Sequence, residues 1–301
     1  MTPAELHMQV DIAHWGWSIA WFLWFVGIAG MGSVAYYFVR RRPLALVIFG
    51  SLVVGLLLVV SHLGRWWNLP RTIWLMIVNV DFNFSSWMLI GITLLSVHLV
   101  ATLILVVAQL PFLSERFGWL GWTRALDASN AFVGVYAALG VSVTVYSGFL
   151  ITQAVGVPLW NTALIPVLWV ISGSIAAIAV LELMYVVGWV DERVSAFGVR
   201  LGLGLDAAKL LAVLAFLHIG LTIGSTGARI GAQAMATGEF ALMTWGGIVG
   251  VGILVPIAIG AYTVARGKSK PLIALSAVSA LAGVFFLRAT VLLAGVFEPL
   301  I

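Results

Sequence analysis

The sequence predicts an all-α, polytopic membrane protein, a single transmembrane domain of about eight helices for which two four-helix bundles are a natural packing. Hydrophobic residues make up 62% of the 301 residues and charged residues only 9%, whereas soluble domains carry roughly 25% charged residues. The mean hydropathy is +1.13. The apolar residues also form runs of the ~20 residues that are needed to cross a hydrocarbon core of about 30 Å. A water-soluble globule is therefore excluded.

The apolar runs, in sequence order, predict helices at residues 17–39, 44–64, 84–110, 127–151, 163–190, 205–225, 242–265 and 271–297. Arg40–Pro43 separates the first pair and Gly267–Pro271 separates the last pair. Residues 65–83 form the longest polar connection of the first half. Residues 1–16 contain no Lys or Arg, so we expect a retained first helix rather than a cleavable signal peptide.

The basic residues predict the orientation, because cytoplasmic connections carry an excess of Lys and Arg. The connections that follow the odd-numbered helices contain ten: Arg40, Arg41, Arg42, Arg116, Arg124, Arg193, Arg200, Arg266, Lys268 and Lys270. The opposite connections contain three: Arg65, Arg71 and Arg229. Both termini are therefore expected on the outer, periplasmic side of the cytoplasmic membrane. The net charge of +4 is thus a topology signal in a lipid-embedded protein and does not indicate nucleic-acid binding.

The sequence has no cysteine. The protein therefore has no disulfide, no thiolate zinc site and no cysteine-ligated iron–sulfur cluster of its own. We predict neither a metal site nor a catalytic residue within it, and any cluster has to belong to a partner subunit.

Ionisable groups inside a membrane cost roughly 2.5–3.5 kcal/mol each on translocon scales, so each one is a functional candidate. One predicted group lies towards the outer side: His14, His62, Arg65, Asp81, Asn83, Tyr146 and Arg288. Quinone reduction needs donors to two carbonyl oxygens and groups that exchange protons, which His, Tyr and Asp provide. Interfacial snorkelling would equally explain His62 and Arg65. Arg288 is too deep for snorkelling, so we expect a carbonyl or carboxylate partner for it, with Asp81 as a candidate.

A second predicted group lies in the middle and inner half of the membrane: His98, Glu182, Asp206, Lys209 and His218. Asp206 and Lys209 are three residues apart on a helix, so they can pair on one face. The group is a candidate proton path from the cytoplasm to the outer site, or a set of structural pairs that hold the helices together. His98 and His218 are also a candidate pair of haem b ligands. The membrane-embedded Glu182, Asp206 and Arg288 also suggest a secondary transporter, which predicts inverted repeats with interrupted helices near the midplane; the sequence shows no convincing pair of such repeats.

Four segments carry a resemblance to a known family. They are His14–Trp17 with Gly27–Gly30, Ser61–Arg65 with Ser86–Met88, Tyr146–Leu150 with Pro158–Trp160, and Gly283–Arg288 with Ala294 and Gly295. In this order they resemble the NrfD/polysulfide reductase membrane-subunit family along nearly the whole sequence. The sequence departs from the family where Trp66 and Trp67 replace the Pro-x-Arg that often follows the His-Leu-Gly-Arg motif.

The resemblance implies a haem-free subunit that binds membrane quinone, either menaquinone or ubiquinone, near the outer face. It implies that Tyr146, the motif around His62, and His14 belong to the quinone site. The implied partners are a ferredoxin-like subunit with four-iron clusters and a molybdopterin subunit that carries Mo or W. The protein would then exchange electrons between quinone and the iron–sulfur partner in anaerobic respiration. A haem-b quinol dehydrogenase anchor and a secondary transporter are the alternatives.

Overall fold

The computed structural model describes residue 13 and residues 15–63, 65–79 and 85–298. Within this part of the protein, eight helices are long and apolar enough to cross a membrane. They are α1 (Trp17–Phe38), α2 (Arg42–His62), α3 (Trp87–Ala108), α4 (Asn130–Thr152), α5 (Leu164–Val186), α6 (Glu192–Thr222), α7 (Leu242–Arg266) and α8 (Lys270–Leu293). Shorter helices lie at Leu69–Asn79, Pro111–Arg116, Trp122–Ala128 and Thr226–Ala236. The predicted all-α fold with about eight membrane spans is confirmed.

The eight helices pack as two four-helix bundles. In the first bundle α1 contacts α2 and α4, and α3 closes the ring against α2 and α4. In the second bundle α5 contacts α6 and α8, and α7 closes the ring in the same way. The bundles meet where α1 packs against α5 and α8 and where α4 packs against α5. The predicted arrangement is thereby confirmed, and α1 and α5 lie at the centre of the molecule.

Glycines allow the helices to approach closely where they cross. Gly30 of α1 faces Gly140 of α4, and a Cβ added to Gly140 would collide with the Gly30 carbonyl oxygen. Gly252 of α7 faces Gly283 of α8 in the same manner. Membrane helices depend on such close packing, because lipid tails remove the hydrophobic drive for helices to associate. These two crossings accept only glycine without a backbone shift.

Helix α6 is longer than the sequence predicted. The apolar run predicts a start near residue 205, whereas the helix begins at Glu192. Arg193 and Arg200 are predicted to lie in a connection, but they lie exposed within the first three turns of this helix. Hydropathy detects the part of a helix that lies in lipid and misses polar turns that continue into water. The largest differences elsewhere are at the ends of α5 and α8, which stop at Val186 and Leu293 rather than at residues 190 and 297.

The two sides of the molecule differ in connectivity and in charge. The backbone N–H of Ala13 donates to the carbonyl of Gly295 at 3.0 Å, so the beginning of α1 and the end of α8 lie on one side. We call this side the terminal face. The opposite side, the basic face, carries the ends of α1, α3, α5 and α7 and the ten basic residues counted above. The assignment of the basic face to the cytoplasm stays a prediction.

Candidate functional site

An aromatic stack surrounds Tyr146 at the terminal end of the first bundle. The Tyr146 ring of α4 lies 6.4 Å from the Trp87 ring of α3, with an interplanar angle of 19°. Trp87 in turn lies 5.5 Å from the Phe149 ring, at an angle of 29°. Gly91, one turn after Trp87, has no side chain, and the Tyr146 ring and hydroxyl occupy the space that a Cβ would fill. The stack therefore fixes the Tyr146 ring between α3 and α4.

His62 lies at the end of α2, on the terminal face. Its Nδ1 is 3.3 Å from Oγ of Ser18 in the first turn of α1. His62 and Arg65 are both exposed, so the imidazole is accessible from the membrane interface. The aromatic stack and His62 thus lie at the same end of the same bundle. The remaining polar residues predicted before α1 and α3 lie outside the described residues: His14, Asp81 and Asn83.

Arg288 lies at the seam between the two bundles, where it is fully buried. Its Nε donates to the Leu23 carbonyl of α1 at 3.1 Å, and Nη1 donates to Oγ of Ser172 in α5 at 3.0 Å. The guanidinium carbon lies 5.3 Å from the centre of the Trp169 ring. Gly27 permits this approach, since a Cβ there would collide with Nη2. The predicted carbonyl partner is confirmed, and the contacts that anchor Arg288 are with α1 and α5.

Two buried donors at this seam have unused hydrogen-bonding capacity. Among the described residues, Nη2 of Arg288 and Nε1 of Trp169 have no hydrogen-bond partner. An unpaired buried donor costs about 1–3 kcal/mol, and more when the group is charged. Asp81, the carboxylate that the sequence suggested for Arg288, is not among the described residues. The seam therefore holds a positive charge whose hydrogen bonds are incomplete within the described part of the protein.

Glu182, Asp206 and Lys209 come together inside the second bundle. Nζ of Lys209 lies 3.2 Å from Oδ1 of Asp206, so the predicted ion pair is confirmed. The two side chains have exposed fractions of only 0% and 5%. Glu182 of α5 and Asp206 of α6 line one cavity of about 30 Å³ together with Thr263 of α7. The lining is mostly apolar, but the cavity is large enough for one water molecule, for which Glu182, Asp206 and Thr263 are possible polar partners.

Lys209 has a second anchor because of a proline in α7. This helix has π-helical turns over Leu242–Leu254 and α-helical turns over Val255–Arg266. Pro256 has no N–H to donate to the carbonyl of Gly252, four residues earlier. That carbonyl accepts a hydrogen bond from Nζ of Lys209 at 2.6 Å. The charge of Lys209 is thereby held between α6 and α7 by a carboxylate and a carbonyl.

The five residues of the predicted proton path do not form one group. His98 is fully buried on α3 in the first bundle, whereas Glu182, Asp206 and Lys209 lie in the second. His218 is exposed on the surface of α6. The candidate pair of haem ligands, His98 and His218, is therefore not assembled in this structure. Within the described residues, no three His, Cys, Asp or Glu side chains are grouped closely enough to hold a metal ion.

The first bundle contains a row of buried hydroxyl groups, on the side of the basic face, that is not predicted from the sequence. Tyr36, Thr102 and Tyr136 are buried there, and they lie between His98 and Asp127. In the sequence these three residues are visible only as polar side chains within apolar runs. Uncharged hydroxyls are far less costly in a membrane than ionised groups, so they do not stand out beside His, Glu and Lys. Asp127 stands at the boundary of a predicted helix, where a carboxylate is ordinary.

The sequence matches a known family over nearly its whole length. The family described as "Polysulphide reductase, NrfD" matches residues 5–299. Protein NrfD of Escherichia coli is 27% identical over 93% of this sequence and 94% of that protein. The C subunit of the polysulfide reductase of Wolinella succinogenes is 28% identical over 95% and 96%, and the Protein NrfD homolog of Haemophilus influenzae is 25% identical over 93% and 94%. The protein described above is a multi-pass membrane protein that belongs to the polysulphide reductase NrfD family.

Proposed function

We propose that this protein is the membrane anchor and quinone-binding subunit of a respiratory oxidoreductase complex. The observation that carries the proposal is the stack of Trp87, Tyr146 and Phe149 at the same end of the first bundle as His62. The family relationship supports it, since one relative is a subunit of a polysulfide reductase.

The residues at this end of the bundle suit a quinone ring. Aromatic rings stack in offset arrangements with centroids about 4.5–7 Å apart, and Trp87 presents such a face next to Tyr146. Tyr146 has an O–H donor, and His62 has ring nitrogens that can donate or accept. We assign these two side chains to the quinone oxygens, with His14 or Asp81 exchanging protons with the outside. The quinone supplies the redox chemistry, and the protein binds and orients it.

The proposed electron partner docks on the terminal face. The positive-inside rule assigns the basic face to the cytoplasm, so the terminal face is the outer one. Because the sequence has no cysteine, a ferredoxin-like subunit has to supply the iron–sulfur clusters. A molybdopterin subunit with Mo or W completes the proposed complex. Electrons then pass between its clusters and menaquinone or ubiquinone at the Tyr146 end of the first bundle.

Tyr146→Phe tests the site, because it removes one hydroxyl and keeps the ring in the stack. We expect quinone-linked turnover of the complex to fall by about 100-fold, the lower end of what a positioned acid–base group contributes. Turnover of the partner subunits with an artificial dye is expected to stay at the wild-type rate. Tyr262→Phe is the control, since Tyr262 lies exposed on α7.

Loss of quinone-linked and dye-linked turnover to the same extent would contradict this assignment. Such a result would mean that Tyr146 supports assembly of the complex rather than the reaction of the quinone. Wild-type quinone turnover in Tyr146→Phe would contradict it as well.

Gly91→Ala tests the position of Tyr146 rather than its hydroxyl. The new methyl group and the Tyr146 ring cannot share the same space, so the ring has to move. We expect the KM for quinone to rise about tenfold, which corresponds to about 1.4 kcal/mol. Gly50→Ala on α2 is the matched control, because a Cβ there meets nothing within 4 Å. An unchanged KM in Gly91→Ala would place quinone away from the stack.

Ion-coupled transport is a second candidate function, and the cavity between Glu182 and Asp206 favours it. When both carboxylates and Lys209 are ionised, this group carries one net negative charge, which a single proton or monovalent cation would neutralise. In an oxidoreductase the same group would serve proton conduction. Cation flux into proteoliposomes that contain this protein alone would favour transport. Quinone-linked turnover of the complex without such flux would favour the oxidoreductase.

A further inference from the structure

A hydrogen-bonded group lies where the first bundle meets the basic face. The hydroxyl of Tyr36 donates to Oδ1 of Asp127 at 2.8 Å. Nε2 of Gln109 donates to the Tyr36 oxygen at 3.0 Å and to Oδ2 of Asp127 at 2.8 Å. Nη1 of Arg40 donates to the Asp127 carbonyl at 2.8 Å. Asp127 is only half-buried. Its carboxylate is therefore accessible from the aqueous side while it accepts the hydrogen bond of the buried Tyr36 hydroxyl.

A second hydrogen-bonded group lies deeper in the same bundle. Oγ1 of Thr102 donates its one proton to the His98 carbonyl at 2.7 Å. The hydroxyl of Tyr136 lies 3.0 Å from that Oγ1, so in this pair Tyr136 donates. Ring contacts join the two groups. The centroids of the Tyr36 and Tyr136 rings are 6.2 Å apart in an edge-to-face arrangement, and the centroids of the His98 and Tyr136 rings are 5.3 Å apart. Tyr36, Tyr136 and His98 are all buried.

The hydrogen bonds of Ser33 determine which ring nitrogen of His98 carries the proton. Oγ of Ser33 donates to the Ala29 carbonyl at 3.0 Å and lies 2.7 Å from Nε2 of His98. A hydroxyl has one proton, so Nε2–H of His98 is the donor and Nδ1 carries the lone pair. Among the described residues, this fully buried Nδ1 has no hydrogen-bond partner. A buried acceptor left unpaired costs about 1–3 kcal/mol and calls for an explanation.

His98 lies at a depth from which it could pass a proton between the basic face and the Tyr146 end of the bundle. It lies ten residues before the basic end of α3 at Ala108, about 15 Å along the helix at 1.5 Å per residue. Gly91, against which Tyr146 packs, lies seven residues on towards the terminal face, about 10 Å further. His98 is therefore roughly midway between the aqueous side at Asp127 and the Tyr146 end.

We propose that Asp127, Tyr36, Tyr136 and His98 form a proton-conducting half-path from the basic face towards the Tyr146 end. A proton enters on the Asp127 carboxylate. Each tyrosine hydroxyl accepts one proton and releases one, so neither changes its charge, and Nδ1 of His98 takes up the arriving proton. The Tyr36 hydroxyl bonds Asp127 and the Tyr136 hydroxyl bonds Thr102, while Nδ1 of His98 has no hydrogen-bond partner among the described residues. Transfer between the two tyrosine hydroxyls, and from Tyr136 to Nδ1, therefore each requires hydroxyl rotation or one bridging water. The onward step from His98 to quinone rests on the proposed function; the path to His98 does not.

The test measures hydrogen–deuterium exchange at the His98 imidazole in the full-length protein. Infrared spectra of ¹⁵N-histidine-labelled protein in lipid nanodiscs are recorded after transfer to D₂O, with His98→Gln identifying the band. We expect Tyr36→Phe and Tyr136→Phe to slow this exchange by about tenfold or more, because each removes one transfer group. Tyr37→Phe is the matched control, since Tyr37 is the neighbour of Tyr36 and is 39% exposed. It should exchange like the wild type.

Exchange at the wild-type rate in both tyrosine variants would overturn the proposal. Faster exchange together with a lower melting temperature would overturn it too, because that pattern describes hydroxyls that only stabilise the bundle. Slower exchange in Tyr146→Phe, with Tyr36→Phe unaffected, would show that protons reach His98 from the terminal face and would also overturn it.

The same variants separate this path from the proposed function. In proteoliposomes of the whole complex, we expect Tyr36→Phe to slow proton uptake from the basic-face compartment during quinone-linked turnover. A wild-type complex without quinone turnover would refute the proposed function, while slow His98 exchange in Tyr36→Phe and Tyr136→Phe would still support the path. Normal quinone turnover, together with wild-type exchange at His98 in both tyrosine variants, would refute the proton path and leave the proposed function standing.

Discussion

Lys209→Met is expected to lower the free energy of unfolding by about 3–5 kcal/mol, because it leaves the Asp206 carboxylate buried without its partner. Nζ of Lys209 lies 3.2 Å from Asp206 and 2.6 Å from the Gly252 carbonyl. Methionine preserves most of the volume but neither the charge nor the donors. SDS-induced unfolding of the purified protein in mixed micelles measures the loss.

Two further variants identify the ion pair as the cause. Asp206→Leu combined with Lys209→Met leaves no uncompensated charge, and apolar replacement of a buried pair is often neutral. The double variant should therefore be more stable than Lys209→Met alone. Lys270 is an exposed lysine of α8 whose Nζ lies 5.7 Å from the centre of the Tyr185 ring. Lys270→Met should therefore lower the free energy of unfolding by no more than about 1 kcal/mol. Additive losses in the double variant would contradict the role of the pair.

Gly140→Val is expected to lower the free energy of unfolding by about 3 kcal/mol or more, at the upper end of the cost of overpacking. A Cβ at Gly140 would collide with the Gly30 carbonyl oxygen and lie 2.7 Å from Cβ of Ser33. The obstacle is largely the backbone of α1, which cannot rotate away as a flexible side chain could. Thermal unfolding of the detergent-purified variant measures the effect.

Gly134→Val provides the matched control on the same helix. A Cβ at Gly134 would meet only the Tyr37 ring, at 3.7 Å, which is ordinary contact. Both variants introduce the same β-branched residue into a helix, so the difference between them reports the crossing itself. Equal melting temperatures for Gly134→Val and Gly140→Val would show that α1 and α4 do not depend on this close approach.

Most of the fold could be predicted because a membrane constrains length and polarity so strongly. Runs such as the one that becomes α2 have to be helical, since a spanning segment must satisfy its backbone groups internally. The early start of α6 could not be predicted, because its first turns around Arg193 and Arg200 lie outside the apolar run. The Lys209–Asp206 pair could be predicted from its spacing alone, since both partners lie on one helix.

The candidate site was less predictable, because hydropathy does not specify which way a residue faces or which helix it meets. His98 and His218 both occur in apolar runs, yet His98 is buried in the first bundle and His218 is exposed on the second. Arg288 could be predicted to be deep, but not to bind the Leu23 carbonyl of α1. The hydroxyls of Tyr36 and Tyr136 are indistinguishable in the sequence from those of lipid-facing tyrosines.

The most direct test of quinone binding in a redox complex is affinity purification of the tagged protein from its own membranes in mild detergent. Metal, haem and quinone contents are then measured on the same sample. We expect co-purified subunits that contain iron–sulfur clusters and molybdenum or tungsten, with bound quinone and without haem. A protein that purifies alone, without quinone and without redox partners, would contradict this function and would favour ion-coupled transport.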